Sequence, residues 1–219
     1  MKKTPLLLSA LVLALACPAG AAASPAPLKR AAREVQEVLN RLDRNLASAA
    51  RSLAKSGLTG DAARKTLTEL CLANTEVVDC AAVDLAGRMV AVAPAQYAAH
   101  EGADISKQEQ VRKLHSTKKP VLSRVFRAVE GYDALDLEQP VKGPDGGLLG
   151  SVSMLIKPEA LLGGLLAPLS ADGKLAVKAL QEDGKVLYAS AQGLGKTEQK
   201  ASVGLHGTRW RLEAGPAAP

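Results

Sequence analysis

Aromatic residues are the scarcest large side chains in this sequence of 219 residues. They make up 2% of the chain, whereas 47% of the residues are hydrophobic and 23% are charged. This balance is typical of a globular protein, and it means that the core is built mainly from Leu, Val and Ala. The scarcity also argues against nucleic acid as a partner, because the basic residues are not interleaved with aromatic rings on which bases stack.

Catalytic motifs are also missing. The chain contains neither G-x-S-x-G nor H-E-x-x-H, and its three histidines lie far apart. Two S-x-x-K matches, at Ser52–Lys55 and Ser116–Lys119, have no S-D-N or K-T-G motif to accompany them. The stretch Gly193–Thr197 lacks the first glycine of a phosphate-binding loop. Because no nucleophile, base and orienting group come together, we expect no enzymatic activity.

The first 23 residues have the pattern of a secretory signal peptide. Lys2 and Lys3 supply the positive start, residues 6–16 are apolar, and residues 21–23 form an A-x-A cleavage site. The apolar run is shorter than the roughly 20 residues that span a bilayer. We therefore expect an exported protein, located in the periplasm or the cell envelope.

The sequence around Cys17 supports a second interpretation of the same segment. Residues 13–17 resemble a bacterial lipobox, in which Cys17 would be lipidated and become the first residue of the mature protein. The mature chain would then be anchored in the membrane by its lipid. Cleavage after Ala23, which leaves no anchor, is the alternative.

Two cysteines remain in the mature chain if Cys17 is lipidated or removed. Cys71 falls near the end of a predicted helix and Cys80 in the strand that follows. Because exported proteins meet an oxidising compartment, we expect this pair to form a disulfide. Neither cysteine has a histidine nearby, so a zinc site is not indicated and no cofactor is expected.

A long amphipathic helix is predicted over Leu28–Lys55. Leu28, Val35 and Leu42 recur every seven residues, other apolar residues fill the turns between them, and Gly57 ends the pattern. Such a stripe either packs along a sheet or pairs with a second copy of the chain. A homodimer through this helix is therefore one of the two expected arrangements.

The residues after this helix predict an α+β fold. The patterns indicate a second helix, a hairpin, and a third helix that begins at a Ser106-x-x-Glu109 capping box. These elements are Asp61–Asn74, Val77–Val83 with Arg88–Val92, and residues 106–115.

Three consecutive strands are predicted in the centre of the chain, over Val121–Val129, Ala134–Val141 and Leu148–Ile156. Pro and Gly lie between these runs or near their ends, and residues 143–147 (Gly-Pro-Asp-Gly-Gly) favour a tight hairpin. The three strands are therefore expected to be antiparallel. A helix over Pro158–Leu166 and two further hairpins follow. Their strands are Leu175–Gln181 with Lys185–Ala189, and Lys200–Leu205 with Thr208–Ala214.

The order of these pieces resembles that of an extracytoplasmic Cache domain. The segments KKPVLSRVF, EQPV and DGGLLGSVSMLI are similar to its second half, VVDCAAVDLAGRMVAV to its opening hairpin and HEGADISKQEQVRKL to its helical insert. The resemblance implies a PAS-like antiparallel sheet with a long N-terminal helix and a helical insert over residues 28–157. Such a domain binds a small molecule outside the cytoplasm. Residues 158–215 would form a small C-terminal β extension or a reduced second module of a double Cache.

In the Cache arrangement the ligand lies between the sheet and the helical insert. The residues that we expect to contact it are Tyr97, Arg112, Arg124, Phe126 and Tyr132. The amino-acid-binding branch of the family has an Arg-x-Trp-Tyr cluster in its insert, and residues 106–112 have no aromatic residue. An anionic ligand such as a small carboxylate, held by an arginine fork, is therefore favoured. The alternative is that the basic residues form only a solvated face.

These features together predict an extracytoplasmic sensor module that binds a small molecule. The sequence has no kinase domain, no methyl-accepting coiled coil and no second membrane span. It would therefore act through a separate membrane receptor partner. The alternative is a structural or assembly lipoprotein that has no ligand.

Overall fold

Two antiparallel sheets share one long helix in this protein, whose computed structural model describes residues 26–218. The fold is α+β and PAS-like with a long N-terminal helix, as predicted. The helices are α1 (Pro27–Ser56), α2 (Gly60–Leu72), α3 (Glu109–Thr117) and α4 (Pro158–Leu166), with 3-10 turns at Ala95–His100 and Ala167–Ser170. The strands are β1 (Val77–Asp84), β2 (Met89–Ala93), β3 (Val121–Leu122), β4 (Phe126–Arg127), β5 (Asp133–Lys142), β6 (Leu148–Ile156), β7 (Leu175–Gln181), β8 (Val186–Ala189), β9 (Gln199–Leu205) and β10 (Thr208–Pro216).

The helix α1 is amphipathic over its whole length of 30 residues. Pro27 lies in its first turn, where no backbone N–H is needed, and Gly57 ends it with a φ of 87°. The apolar stripe from Leu28 to Leu53 is buried against both sheets. Because this stripe is covered within the chain, a homodimer through α1 would have to use the exposed, polar face of the helix, and it stays a prediction.

The first sheet has the strand order β2-β1-β6-β5-β3, with β4 also paired to β5. Alternation along β6 defines its two faces, since Val152 and Met154 pack in the core with α1 while Ser153 points to the opposite side. The segment 94–120 between β2 and β3, which we call the insert, covers that opposite side. Ile105 and Val111 of the insert pack there on the sheet. Both faces of the first sheet are therefore covered.

The first of the three predicted central strands is wrong as a continuous strand. Residues 121–129 form strand pairs with β5 at β3 and at β4, and the Ser123 N–H also donates to the Asp136 carbonyl (2.8 Å). Between them the Ser123 hydroxyl accepts from the Asp136 N–H (2.8 Å) and donates to the Arg124 carbonyl (2.7 Å). The Val125 N–H donates to Gln181 Oε1 on β7 (2.9 Å). The chain therefore leaves the ladder at this point and bonds to the second sheet instead.

The helix α3 begins later than predicted. It starts at Glu109 with Gln108 as its N-cap, and no side chain caps it. The Ser106 N–H donates to Asp104 Oδ1 (2.9 Å), which places Ser106 in a turn that the Asp104 carboxylate closes. The predicted capping box is therefore wrong.

The second sheet has the strand order β8-β7-β10-β9. Its largest buried side chain is Trp210 on β10, which is 1% exposed and lies in the same apolar cluster as the stripe of α1. The four strands agree with the two hairpins predicted near the C-terminus. Residues 158–215 thus contain a sheet of their own but share a core with the rest of the chain, and their standing as a separate module stays a prediction.

Cys71 on α2 and Cys80 on β1 carry free thiols in the structure. Burial and a hydrogen bond with Cys71 raise the pKa of the Cys80 thiol well above its ordinary value. The pair is adjacent but not bonded, so the disulfide is not formed here and stays a prediction. The signal peptide and Cys17 lie outside the described residues. Within residues 26–218, no helix has both the length and the apolar character needed to cross a membrane.

Candidate ligand-binding site

A small cavity lies between the first sheet and the insert. Its volume is about 20 Å³, which is room for roughly one water molecule. Asp79, Asp136 and Ser153 of the sheet form its floor, and Phe126 of β4 forms part of its wall. Ile105 and Gln108 close it from the side of the insert.

The register of the strands explains why two aspartates meet at this cavity. Asp79 on β1 is opposite Leu155 on β6, and Leu155 is opposite Asp136 on β5. The three side chains therefore form one row across the covered face. Glu138 lies two residues further along β5 and opposite Ser153, so it points to the same face in the next row.

The three acidic side chains are almost completely buried: Asp79 is 2% exposed, Asp136 is 3% exposed and Glu138 is 0% exposed. Asp79 Oδ2, Asp136 Oδ1 and both carboxyl oxygens of Glu138 accept no hydrogen bond from the described residues. None of the three forms an ion pair within residues 26–218. An ionised carboxylate that is buried without a partner is costly, so these groups favour a proton or a bound cation.

The pKa values of all three groups are raised. Burial, with repulsion from Glu130 and Asp136, raises the pKa of Asp79 to about 8. Burial and then the neighbouring Glu138 raise the pKa of Asp136 well above its ordinary value. Burial raises the pKa of Glu138 to about 7. Each of the three groups therefore keeps its proton to a higher pH than an exposed carboxyl group does.

The three predicted aromatic residues lie around these acids. Phe126 lines the cavity directly. Tyr132 lies beside Asp79 and Tyr97, and burial together with both neighbours raises the pKa of its phenol. Lys157 Nζ lies 4.2 Å from the centroid of the Tyr132 ring, on the outer side of this cluster. The structure thus brings Tyr97, Phe126 and Tyr132 together, although ligand binding by them stays a prediction.

The two predicted arginines lie elsewhere. Arg112 is exposed on α3, which buries Gln110, Val111 and Leu114 instead. Arg124 is also exposed, and it lines a different cleft of about 100 Å³ that Gln181 of the second sheet helps to form. Arg124 therefore does not share a strand face with Phe126, because the predicted strand is interrupted at Ser123–Val125.

The buried acids were not among the predicted site residues, although the sequence contained a signal for them. Asp79 interrupts the apolar run of β1, and Asp136 and Glu138 alternate with leucines in β5. Such alternation usually marks a strand with one solvated face. Only the insert, which covers that face, turns these positions into a buried site.

Comparison with known proteins assigns the family. The family model of the HK/GC/chemotaxis protein-like sensor domain matches residues 37–158, which is more than half of the chain. The chain therefore belongs to this family of sensor domains, and the predicted resemblance to Cache domains is confirmed. No curated protein sequence matches it.

Solved structures share the fold. An extracellular ligand binding receptor from Desulfohalobium retbaense DSM5692 is 36% identical with a TM-score of 0.79, and the match covers 86% of this chain. It covers 39% of that receptor, so this chain spans about two fifths of its length.

Two chemoreceptor domains are more distant in sequence. The ligand-binding domain of the Pseudomonas aeruginosa PAO1 amino acid chemoreceptor PctC, solved with GABA, is 18% identical with a TM-score of 0.65, and the match covers 85% of this chain and 95% of that one. The ligand-binding domain of Pseudomonas fluorescens CtaA, solved with L-serine, is 16% identical with a TM-score of 0.63, and the match covers 86% and 93%. All of these are sensor or receptor domains rather than enzymes.

Proposed function

We propose that this chain is an extracytoplasmic sensor domain that binds a small molecule through a positively charged amino group. The observation that supports this most directly is the set of three buried carboxyl groups without a cationic partner among the described residues. GABA and L-serine, the ligands of the PctC and CtaA domains, each carry an amino group. The shared fold and the acidic cavity therefore favour the same class of ligand.

An ammonium group suits the chemistry of this cavity. It offers N–H donors, and Asp79 Oδ2 and Asp136 Oδ1 are acceptors that need them. The aromatic ring of Phe126, which lines the cavity, adds a favourable surface for a cation. A carboxylate would instead lie among acidic groups, so the predicted small carboxylate gains no support from these charges.

Ligand entry requires the insert to move, since a cavity of about 20 Å³ is smaller than any amine with a carbon skeleton. The insert is held by packing of Ile105 and Val111 and by the contact of Glu101 with Arg64 of α2. A ligand that binds better to the opened form shifts the population towards it. We propose that a separate membrane receptor partner reads this change. Lipidation of Cys17 would hold the sensor near such a partner.

The alternative function, a structural or assembly lipoprotein without a ligand, does not account for the unpaired acids. An interior that serves only packing is expected to be apolar or to have its polar groups paired. The acidic face of the first sheet meets neither condition. We therefore place ligand binding first.

A matched pair of ligands tests the proposal. Ethanolamine and glycolate have similar size and share a hydroxyl group, but one carries an ammonium group and the other a carboxylate. We expect ethanolamine to raise the melting temperature of the exported protein and glycolate to leave it unchanged. A ligand at about 100 times its Kd adds about 2.7 kcal/mol to the unfolding free energy.

Two variants test whether the stabilisation by ethanolamine arises at the acidic cavity. Asp79→Asn and Asp136→Asn are each expected to remove the stabilisation by ethanolamine. Asp133→Asn, an exposed aspartate on the same strand β5, is the control and is expected to keep it. Stabilisation by glycolate alone, or an equal response of all three variants to ethanolamine, would contradict amine binding at this cavity.

A further inference from the structure

Asp136 and Glu138 form a pair whose geometry requires a proton. Both side chains point to the covered face of β5, two positions apart, and both are nearly inaccessible to water. Asp136 Oδ1 and both carboxyl oxygens of Glu138 have no hydrogen-bond donor among the described residues. Two ionised carboxylates only accept hydrogen bonds and cannot bond to each other. Two buried carboxyl groups on neighbouring positions of one face, with no donor beside them, are therefore favourable only when at least one of them carries a proton.

The surroundings of the pair offer no positive charge to replace that proton. On β1 the titratable group that faces it is Asp79, and the turn between β4 and β5 adds Glu130 and Tyr132. On the insert, Tyr97 lies beside Tyr132, and α3 contributes the uncharged Gln110.

Among the described residues, no basic side chain forms an ion pair with Asp136 or Glu138. His115 of α3 has a buried Nε2 without a hydrogen bond, and within the described residues it makes no ion pair with a carboxylate. Lys157 lies over the ring of Tyr132 on the outer side of the cluster. The field at Asp136 and Glu138 therefore comes mainly from acidic and neutral groups.

Glu138 differs from Asp136 in its relation to the cavity. Asp136 lines the cavity, whereas Glu138 is fully buried and does not line it. Glu138 is therefore a positioning residue rather than a direct ligand contact. A buried carboxyl group in this place is not needed to bind an amine, and its role must be sought in its effect on Asp136.

We infer that Asp136 and Glu138 share one proton in the free protein, and that an ammonium group bound at Asp136 displaces this proton to the solvent. The inference rests on the proposed function and adds a form of regulation to it. The ammonium group keeps its own protons, the carboxyl O–H bond of the pair breaks, and the released proton forms a bond to the buffer base. Ligand binding and the pH outside the cell are thereby linked, so that acidification weakens the response to the amine.

The directions of the pKa shifts agree with this geometry. Because the pKa of Asp136 lies well above its ordinary value and that of Glu138 lies at about 7, the pair retains a proton at neutral pH. A bound cation favours the ionised forms of both groups and lowers their pKa values. For each proton released, the affinity falls up to about tenfold per pH unit below the pKa of the free pair.

Calorimetric titration with ethanolamine at pH 7 counts the displaced protons. The measurement is made in phosphate and in MOPS, two buffers without a primary ammonium group and with different enthalpies of ionisation. The difference in binding enthalpy gives the number of protons released. We expect the wild-type protein to release about one proton more than Glu138→Gln. The amide of that variant donates to Asp136 and so replaces the shared proton. Asp79 is the same in both proteins, so the difference reports the pair.

Glu109→Gln is the matched control, because it removes one exposed carboxylate from α3 without touching the pair. It is expected to release as many protons as the wild type and to show the same fall in affinity between pH 7 and pH 5. Glu138→Gln is expected to show a shallower fall. Equal proton release in wild type and Glu138→Gln overturns the inference but leaves amine binding intact.

The shared proton can also be detected in the ligand-free protein. Infrared spectroscopy at pH 7 detects the carbonyl stretch of a protonated carboxyl group. We expect its intensity to decrease by one carboxyl group in Glu138→Gln and to stay unchanged in Glu109→Gln. An unchanged band in Glu138→Gln shows that the pair holds no shared proton. Absence of ethanolamine binding to the wild type overturns the proposed function, and with it the displacement step.

Discussion

The two sheets of this protein differ in what their covered faces contain. The second sheet buries apolar side chains around Trp210, and its buried Gln181 and Ser190 are paired with the Val125 and Val177 N–H groups. The Trp210 indole N–H is the exception, since it has no partner within the described residues. The insert-covered face of the first sheet instead carries three acidic groups with unpaired oxygens. The covered face of the second sheet thus stabilises the fold. The unpaired acids on the covered face of the first sheet lower its stability at the position where a ligand is expected.

The largest effect expected from a single substitution concerns the second sheet. Trp210→Ala removes its most buried large side chain, and we expect a loss of about 3–5 kcal/mol in unfolding free energy because the cavity cannot be refilled. Urea denaturation measures this loss. The ethanolamine response of the folded fraction should be kept, since Trp210 lies outside the acidic cavity. Loss of both properties together would break the division of roles between the two sheets.

The second prediction concerns pH and the first sheet. The folded pKa values of Asp79 (about 8) and Glu138 (about 7) lie above their ordinary values of 3.8 and 4.5. For such groups the folded state binds more protons than the unfolded state, so their contribution to stability is complete below about pH 4. It is lost as the pH rises through the folded pKa.

We therefore expect the unfolding free energy from these groups to fall between about pH 5 and pH 7, by about 1.4 kcal/mol per pH unit for each group. Urea denaturation of the ligand-free protein at a series of pH values measures the slope. Asp79→Asn is expected to flatten it, while Asp133→Asn, which changes an exposed aspartate of β5 in the same sheet, leaves it unchanged. Stability that rises over this window in the wild type would show that the acids are ionised in the folded protein.

The smallest effect is expected where the two sheets meet at Asp43, Gln139 and His206, a contact that we call the seam. Asp43 of α1 accepts from Gln139 of β5 (2.7 Å) and contacts His206 of the β9–β10 turn (2.6 Å). Burial alone would raise the pKa of Asp43, but the hydrogen bonds with His206 and Gln139 hold it below its ordinary value.

Asp43→Asn should therefore cost about 1 kcal/mol of unfolding free energy at neutral pH, measured by urea denaturation. Glu37→Gln, an exposed acidic residue on the same helix, is the control and should change stability little. A loss as large as that of Trp210→Ala would mean that the seam, rather than the core, holds the two sheets together.

The parts of the fold that local patterns specify were predictable. The apolar stripe of α1, the Pro-Asp-Gly-Gly turn before β6 and the C-terminal hairpins each follow from residues close together in the sequence. The break at Ser123–Val125 does not, because Gln181 causes it from 56 positions further along the chain. No local pattern contains that contact.

The candidate site was predictable in its aromatic part only. Tyr97, Phe126 and Tyr132 stood out because aromatic residues are so few. Asp136 and Glu138 looked like the outer face of a strand, since their alternation with leucines is the same for a solvated and a covered face. Packing of the insert on this face makes it a covered face rather than a solvated one. The same packing leaves the side chain of Arg112 exposed to solvent.

The shared helix α1 has a consequence for how this molecule comes apart. Its stripe of buried residues, from Leu28 to Leu53, is one side of the core for both sheets. A fragment that ends before Pro158 would uncover the part of this stripe that now contacts β9 and β10. In the full chain, unfolding of either sheet therefore exposes the part of α1 that packs against it. Heating should give one transition rather than two, and limited proteolysis should yield no stable half.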